Sequence, residues 1–339
     1  MKTTMASPET LPDTMRGLEL SAYHGPSALH LVDKPLPRPG PGQLLVEMHA
    51  APINPSDLLF LSGRYGQKKT LPVVPGFEGS GTVVAVGSGL LPRLYLGRQV
   101  ACGAATGGDG TWAEYLLTSP LSCIPLRGKV SLDQGATMLV NPTTAYLLMQ
   151  RARRVDAVIS TAALSQVGRM LHRLSRHYDV PIIHTVRRDE QVATLRDLGA
   201  THVLNSSDDD FEQQLYDLSH DLNATLAFDA VAGPMSARLL GAMPQGSRVV
   251  VYGALSEDDT VVSPKPFIFE DKRLEGFWLG TALRGTQAWR ALPALWRIPK
   301  LMGDVLQTEV RAKVPLEEFE EGLEHYQQSM SRGKILLTP

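Results

Sequence analysis

The sequence predicts an α/β protein: a β-rich first part, a doubly wound parallel sheet after it, and an irregular last part that ends in a strand. Three observations predict it. The first stretch is rich in Gly and Pro and alternates in hydrophobicity. From Ser131 onward, short apolar strands alternate with helices. After Gly253 the pattern turns irregular, and the chain closes on a strand. At 339 residues the chain is long enough for two domains.

In the first part, Leu44-Leu45-Val46-Glu47-Met48 and Gly81-Thr82-Val83-Val84-Ala85-Val86 read as strands bounded by turn residues. The run from Leu36 to Gly42, with three prolines and two glycines, is a rigid turn before the first of them. Leu132 to Met149 reads as helical, broken at Asn141-Pro142. Val155 to Ser160 is a short apolar strand. Val167, Met170, Leu171 and Leu174 then fall on one helix face. Pro181 to Val186 is the next strand. Asp189 is placed to cap a helix carrying Val192, Leu195 and Leu198, which Gly199 closes. His202 to Asn205 is strand-like, and Ser206 or Ser207 can cap the helix after it. Ala224 to Ala230 and Ser247 to Gly253 are further strands around a helix near Pro234 to Met243. Ile268 to Leu279 is mixed. Gln287 to Met302 and Pro315 to Gln328 read as helices, and Lys334 to Leu337 as the last strand.

Composition narrows the function classes. Hydrophobic residues make up 43 % and charged residues 20 %, as in a soluble globular protein. The net charge of −2 gives no general pull toward nucleic acid or an acidic membrane. No apolar run approaches the roughly 20 residues of a membrane span. Met1 to Met15 has no apolar signal core and is not Arg-rich, so a cytoplasmic location is expected. Two cysteines, Cys102 and Cys123, are too few for a four-Cys metal site and read as small buried hydrophobes. His24, His30, His172, His177, His184, His202 and His220 show no metal spacing.

The chemistry-bearing segments lie in fixed places. Between a strand and a helix stands Thr161-Ala162-Ala163-Leu164-Ser165-Gln166-Val167-Gly168. Of a three-glycine dinucleotide fingerprint only Gly168 remains. Ala162 and Ser165 hold the other small positions, and the helix start still offers free N–H groups to a pyrophosphate. The alternative is a generic helix start. The next strand ends in Arg187-Arg188, where an NAD enzyme would place an acid. Two arginines suit a 2′-phosphate; the bland alternative is an exposed basic helix entry. Tyr65, in Gly63-Arg64-Tyr65-Gly66, places a phenol on a glycine-rich loop, where it can donate to a carbonyl oxygen that gains charge. It can equally be an ordinary loop aromatic, and Trp278 by default would be core.

Taken together these segments resemble the zinc-independent medium-chain dehydrogenases/reductases, most of all the quinone oxidoreductase and mitochondrial 2-enoyl thioester reductase branch. The resemblance rests on Ala51-Pro52-Ile53-Asn54-Pro55-Ser56-Asp57, Gly63-Arg64-Tyr65-Gly66, Pro75-Gly76-Phe77-Glu78-Gly79 and Asn141-Pro142-Thr143-Thr144-Ala145-Tyr146. It continues through Phe267 to Leu279 and closes on Gly333-Lys334-Ile335-Leu336-Leu337. It implies a GroES-like β-rich catalytic domain of 1–127 and 267–339, an inserted Rossmann domain of 128–266, and NADPH in the cleft between them. Zinc alcohol dehydrogenases of this superfamily carry a Cys where this chain has Asn54 and a His where it has Phe77. No metal is therefore expected.

By the same resemblance Tyr65 is the proton donor or enolate stabiliser and Trp278 lines the substrate site. Asn54, Asn141 and Thr144 match residues near the nicotinamide. Arg187, Arg188 and Lys334 match the region that binds the NADPH phosphates. Ala162, Ser165, Gln166, Val167, Gly168 and Gly253 complete the expected cofactor set. Family members usually carry more glycine where this chain has Ala162, Leu164 and Gln166. A homodimer acting on a small molecule is implied. The expected activity is NADPH-dependent reduction of an electron-poor C=C, in an enone or a 2-enoyl thioester. Quinone reduction is the rival, since it needs no dedicated acid. A non-enzymatic NADPH-binding redox sensor is the third reading, motivated by Leu164 and Gln166.

Overall fold

The computed structural model describes residues 11–105, 107–128, 130–284, 288–328 and 333–339. It divides into two compact units. The first joins Met1–Leu139 to Glu309–Pro339, and the second is Val140–Thr308. Residues 1–10, the start of the stretch read as no leader, and Gln287, the expected start of a helix, fall outside the described residues.

Seven strands open the chain: β1 (Thr14–Leu20), β2 (Leu29–Pro35), β3 (Leu44–Pro52), β4 (Glu78–Val86), β5 (Gln99–Gly103), β6 (Tyr115–Thr118) and β7 (Cys123–Pro125). The second unit contributes β8 (Val158–Ser160), β9 (Ile182–Val186), β10 (His202–Asn205), β11 (Leu226–Asp229), β12 (Arg248–Val251) and β13 (Arg273–Gly276). The chain then returns to the first unit with β14 (Val310–Pro315) and β15 (Lys334–Thr338).

In the first unit, β14, β15, β3, β4, β5 and β7 follow one another across a sheet that β6 joins through β3. β1 and β2 form a separate antiparallel ribbon. β3 is central and mostly buried, so Leu44, Leu45, Val46 and Met48 are apolar, and of that run only Glu47 faces solvent. One core gathers Leu18, Leu20, Leu45, Phe60, Leu61, Trp112, Leu337 and their neighbours. A second core holds Leu44, Val46, Val83, Leu116 and both cysteines. The expected GroES-like part is thus a β-rich unit, closed by the C-terminal strand.

The second unit is a parallel sheet in the order β10-β9-β8-β11-β12-β13. Strand order reverses between β8 and β11, the Rossmann switch point, where crevices open at the carboxyl ends of the strands. Helices Asn141–Ala152 and Gln166–Tyr178 pack together, as do Phe211–Asp221 and Pro234–Ala242. Apolar strand residues such as Ile159, Ile183 and Ala227 meet Phe211, Leu215 and Leu239 in its core.

Several expectations are corrected. The boundary expected at 267 moves to 308: β13 extends the parallel sheet through β12 and carries the residues after it into the second unit. The polar Arg-Leu-Glu-Gly of β13 gives no strand pattern in sequence, because an edge strand is held by backbone bonds to one neighbour. The stretch from Leu132 to Met149 is, as expected, two helices, Leu132–Ala136 and Asn141–Ala152; the break lies just before Asn141, and Pro142 stands in the first turn of the second, where its missing N–H costs nothing. Asp189 is not a cap. Arg188 holds that position, and Asp189 Oδ1 accepts a hydrogen bond from Asn205 Nδ2 at 2.8 Å. Asp210, not Ser206 or Ser207, precedes the next helix. Among the described residues, no helix is long and apolar enough to cross a membrane.

Candidate active site

The fingerprint residues form the turn from β8 into helix Gln166–Tyr178. Ser165 caps that helix, its Oγ accepting the Gly168 N–H at 3.1 Å. A Cβ on Gly168 would lie 2.5 Å from the Ala163 carbonyl oxygen, so only glycine lets the helix approach the strand end this closely. Ala162 adopts φ +47°, the left-handed region that glycine enters freely and alanine rarely does. Gln166 is buried, and its Nε2 has no hydrogen-bond partner. Leu164 and Val167 are buried as well, Leu164 in a small cluster with Val186 and Leu195. A turn with an orphaned buried donor and a glycine that admits no side chain fits the pyrophosphate of a dinucleotide.

Other carboxyl ends of the sheet supply neighbours. Gly253 follows β12, and a Cβ there would stand 2.8 Å from the Ala230 carbonyl oxygen. Arg187 and Arg188 follow β9 and are exposed. Arg188 Nε pairs with Glu190 at 2.9 Å. Among the described residues the Arg187 guanidinium makes no hydrogen bond or ion pair, so it is open to an anion. Asn141 and Thr144 are nearly buried in the first turn of their helix. Trp278 follows β13 in this same unit and is 37 % exposed, not core.

Sequence reasoning missed the frame of this end of the sheet. Thr161 Oγ1 donates to Asp229 Oδ1 at 2.8 Å and accepts from Ala230 N–H at 2.8 Å. Asp229 also accepts from Ser236 and from Val231 and Ala232 N–H, tying β8 to β11 at the switch point. Tyr252 has its hydroxyl buried beside Ser165, and burial raises its pKa, with the Asp229 charge adding to it and Ser165 opposing it. An acid ending an apolar strand, as in Leu226-Ala227-Phe228-Asp229, is the sequence signal for the first of these.

In the first unit, Tyr65 sits on a loop that Tyr23 anchors. Tyr23 Oη donates to Lys69 O at 2.8 Å and accepts from Lys69 N–H at 2.7 Å. The Tyr65 ring is 4.7 Å from that of Phe77, which meets Phe60 edge-on at 5.8 Å. The Asn54 amide is held on both sides. Lys334 Nζ donates to its Oδ1, and its Nδ2 donates to Glu78 Oε1 at 3.1 Å. Asn54 N–H in turn donates to Asp57 Oδ2 at 2.8 Å, and Glu78 Oε2 accepts from Leu139 N–H at 2.8 Å. Burial pushes the Asp57 carboxyl up, against the pull of the Asn54 N–H and the Lys334 charge. Burial likewise pushes Lys334 down, against the pull of Glu78 and Asp57.

Lys334, which the resemblance groups with the phosphate-binding cations, is 1 % exposed, and its ammonium donates to Ile53 O, at 3.0 Å, and to Asn54 Oδ1. An ammonium with acids to balance and carbonyls to bond turns inward.

Comparison with known proteins accords with these two folds. Residues 40–128 match the alcohol dehydrogenase GroES-like domain, and residues 166–296 match the zinc-binding dehydrogenase domain. The mitochondrial enoyl-[acyl-carrier-protein] reductase of Bos taurus is 33 % identical over 278 residues, 79 % of this chain and 73 % of that protein. A crystal structure from Mesorhizobium loti, assigned as an NADPH:quinone reductase, is 35 % identical. It superposes with a TM-score of 0.89 over 98 % of this chain and all of its own. A mycobacterial protein solved with NADPH is 26 % identical, with a TM-score of 0.79 over 96 % of this chain and all of its own.

A GroES-like unit and a Rossmann unit in one chain define a class, the two-domain dehydrogenases and reductases. This chain belongs to the medium-chain dehydrogenase/reductase superfamily, in the branch shared by quinone oxidoreductases and mitochondrial-type enoyl thioester reductases.

Proposed function

We propose that the protein is an NADPH-dependent reductase that works without zinc on an activated C=C, in an enone or a 2-enoyl thioester. One observation carries the reading: Phe77 and Asn54 offer no metal ligand, while the phenol-bearing Tyr65 packs directly on Phe77. A phenyl ring cannot bind zinc, and the Asn54 amide oxygen is already taken by the Lys334 ammonium. Among the described residues no three His, Cys, Asp or Glu side chains cluster as a metal site would need. The donor set does not fit the ion that the zinc-binding dehydrogenase description implies. The relation to mitochondrial enoyl reductases supports the substrate class.

The turn 162–168 and Gly253 would hold the dinucleotide, with Arg187 and Arg188 on its 2′-phosphate. When bound, NADPH supplies the hydride. Reduction of a conjugated C=C builds negative charge on the substrate carbonyl oxygen. Tyr65 would donate a hydrogen bond to that oxygen and hold the proton that the α-carbon takes up. The anchored loop fixes where the phenol stands, so the donor is preorganised. Trp278 would offer an apolar wall to the acyl part. The expected homodimer belongs to the same reading: β13 ends its sheet and has one partner strand among the described residues.

The test is NADPH oxidation with crotonyl thioesters, simple enones and quinones, for the natural sequence and for Tyr65→Phe. We expect turnover of the enoyl thioester or enone, and a loss on the order of 10²-fold in the variant with little change in NADPH affinity. Lost NADPH binding would place Tyr65 in the cofactor site instead. The likeness to the Mesorhizobium loti structure favours direct quinone reduction as a second reading. Activity on quinones alone, unchanged in Tyr65→Phe, would establish that reading and overturn the first.

A further inference from the structure

Four polar side chains, Asn54, Asp57, Glu78 and Lys334, lie within the first unit at 1 % exposure or less. Two are carboxylates and only one is a cation. Such groups stay charged inside a protein only when paired and hydrogen-bonded. The pairing here runs through an amide. An ammonium can only donate and a carboxylate can only accept. Lys334 Nζ on one side and Glu78 Oε1 on the other therefore permit a single orientation of the Asn54 amide. Lys334 spends a second donor on Ile53 O, the residue before Asn54, which fixes the backbone as well. The Tyr326 ring lies 5.7 Å from the ammonium and closes the cluster.

We propose that Lys334 is a positioning residue: its buried ammonium sets the Asn54 amide in one orientation and is the resident cation of the Asp57–Glu78 pair. The inference rests on the reading above in one respect, that Asn54 stands near the nicotinamide. The Asn54 side chain also accepts from the backbone of the first helical turn, so the amide, once fixed, has one Nδ2–H left to present as a defined donor. A free amide would present either edge. Lys334 then acts on hydride transfer through Asn54, and not on the cofactor phosphate.

The test uses the full chain with Lys334→Met, Lys334→Arg and the double variant Lys334→Met/Glu78→Gln. Three readouts are taken: thermal midpoint, separate dissociation constants for NADPH and NADH, and turnover of crotonyl thioester. Lys334→Met should lower the midpoint by several degrees, because a buried carboxylate loses its cation. Adding Glu78→Gln should recover at least half of that loss. The ratio of NADPH to NADH affinity should stay within threefold of the natural sequence in every variant. Turnover should fall tenfold or more in the refolded double variant, in kcat and not in KM, and Lys334→Arg should restore part of it.

A tenfold fall in the NADPH to NADH affinity ratio would make Lys334 a phosphate ligand and overturn the proposal. So would an unchanged midpoint in Lys334→Met, or no recovery from Glu78→Gln. Full turnover in the stable double variant would reduce Lys334 to a structural role and overturn positioning. If no substrate of the screen is turned over, the reductase reading fails by itself. The midpoint and affinity arms then still decide the cation role.

Discussion

Arg187 and Arg188 show how little separates a binding residue from an exposed cation. Both are solvated, but Arg188 is engaged with Glu190 while Arg187 is open. A 2′-phosphate at this strand end would meet Arg187 first. Changing both to Ala should weaken NADPH about tenfold or more, the weight of one charge-assisted bond, and leave NADH nearly unchanged. Fluorescence titration with each cofactor checks it. Equal losses for the two cofactors would make the arginines structural. Tyr65 stands on a loop that Tyr23 holds at Lys69, so the proposed donor role rests on that anchor.

At the scale of an element, the turn from β8 into its helix depends on one missing side chain. Alanine is the better helix residue by about 1 kcal/mol, so propensity alone predicts that Gly168→Ala stabilises. Contact predicts the reverse. The new Cβ would stand 2.5 and 2.6 Å from the Ala163 carbonyl oxygen and carbon, which are backbone atoms and cannot swing away. Overpacking of this kind costs about 1–3 kcal/mol, enough to outweigh the propensity gain. Gly168→Ala should lower the urea midpoint and weaken both NADPH and NADH, since the turn that would hold the pyrophosphate must move. A more stable variant with intact binding would show that the helix relaxes without cost.

Across the whole molecule, stability should depend on pH through a buried histidine pair in the second unit. His172 Nε2 lies 3.1 Å from Leu198 O, a carbonyl that only accepts, so that nitrogen carries the proton. His172 Nδ1 is then the acceptor for His184 Nε2–H at 3.0 Å. This leaves His184 Nδ1 buried without a partner. Burial pushes the His184 pKa down to about 3, with His172 and His202 adding to it. Burial also lowers that of His172, against the Leu198 bond and with Arg176 and Arg173 nearby.

A histidine whose folded pKa is depressed takes up a proton on unfolding between its folded and unfolded values. The contribution is complete above about pH 6.5 and is lost as pH falls toward 3. Each such proton is worth up to about 1.4 kcal/mol per pH unit in that window. His184→Gln keeps an N–H for His172, and it should flatten the fall of the urea midpoint between pH 6.5 and 4 by about one proton. An unchanged slope would remove His184 from the acid response.

Much of this was legible in the sequence because it is local. Apolar runs bounded by Gly and Pro marked the strands of the parallel sheet. The helix face of Val167, Met170, Leu171 and Leu174 lies buried as its spacing required. Asn54 and Phe77 told their chemistry by residue type alone. What the sequence by itself determined was therefore the alternation of elements, the two-fold architecture, and the residues able to bind or donate.

Tertiary structure decided the rest, where the partner lies far along the chain. β13 is a strand only because β12 is beside it. Asp229 becomes the frame of the switch point only when Thr161 folds against it. Lys334 stands 280 residues from Asn54, and nothing in Gly333-Lys334-Ile335 says whether its ammonium faces a phosphate or a carboxylate. Side-chain type sets what a group can bond. Burial and the charges already present decide which bond it makes, because an inward ammonium facing two acids costs less than two acids left alone.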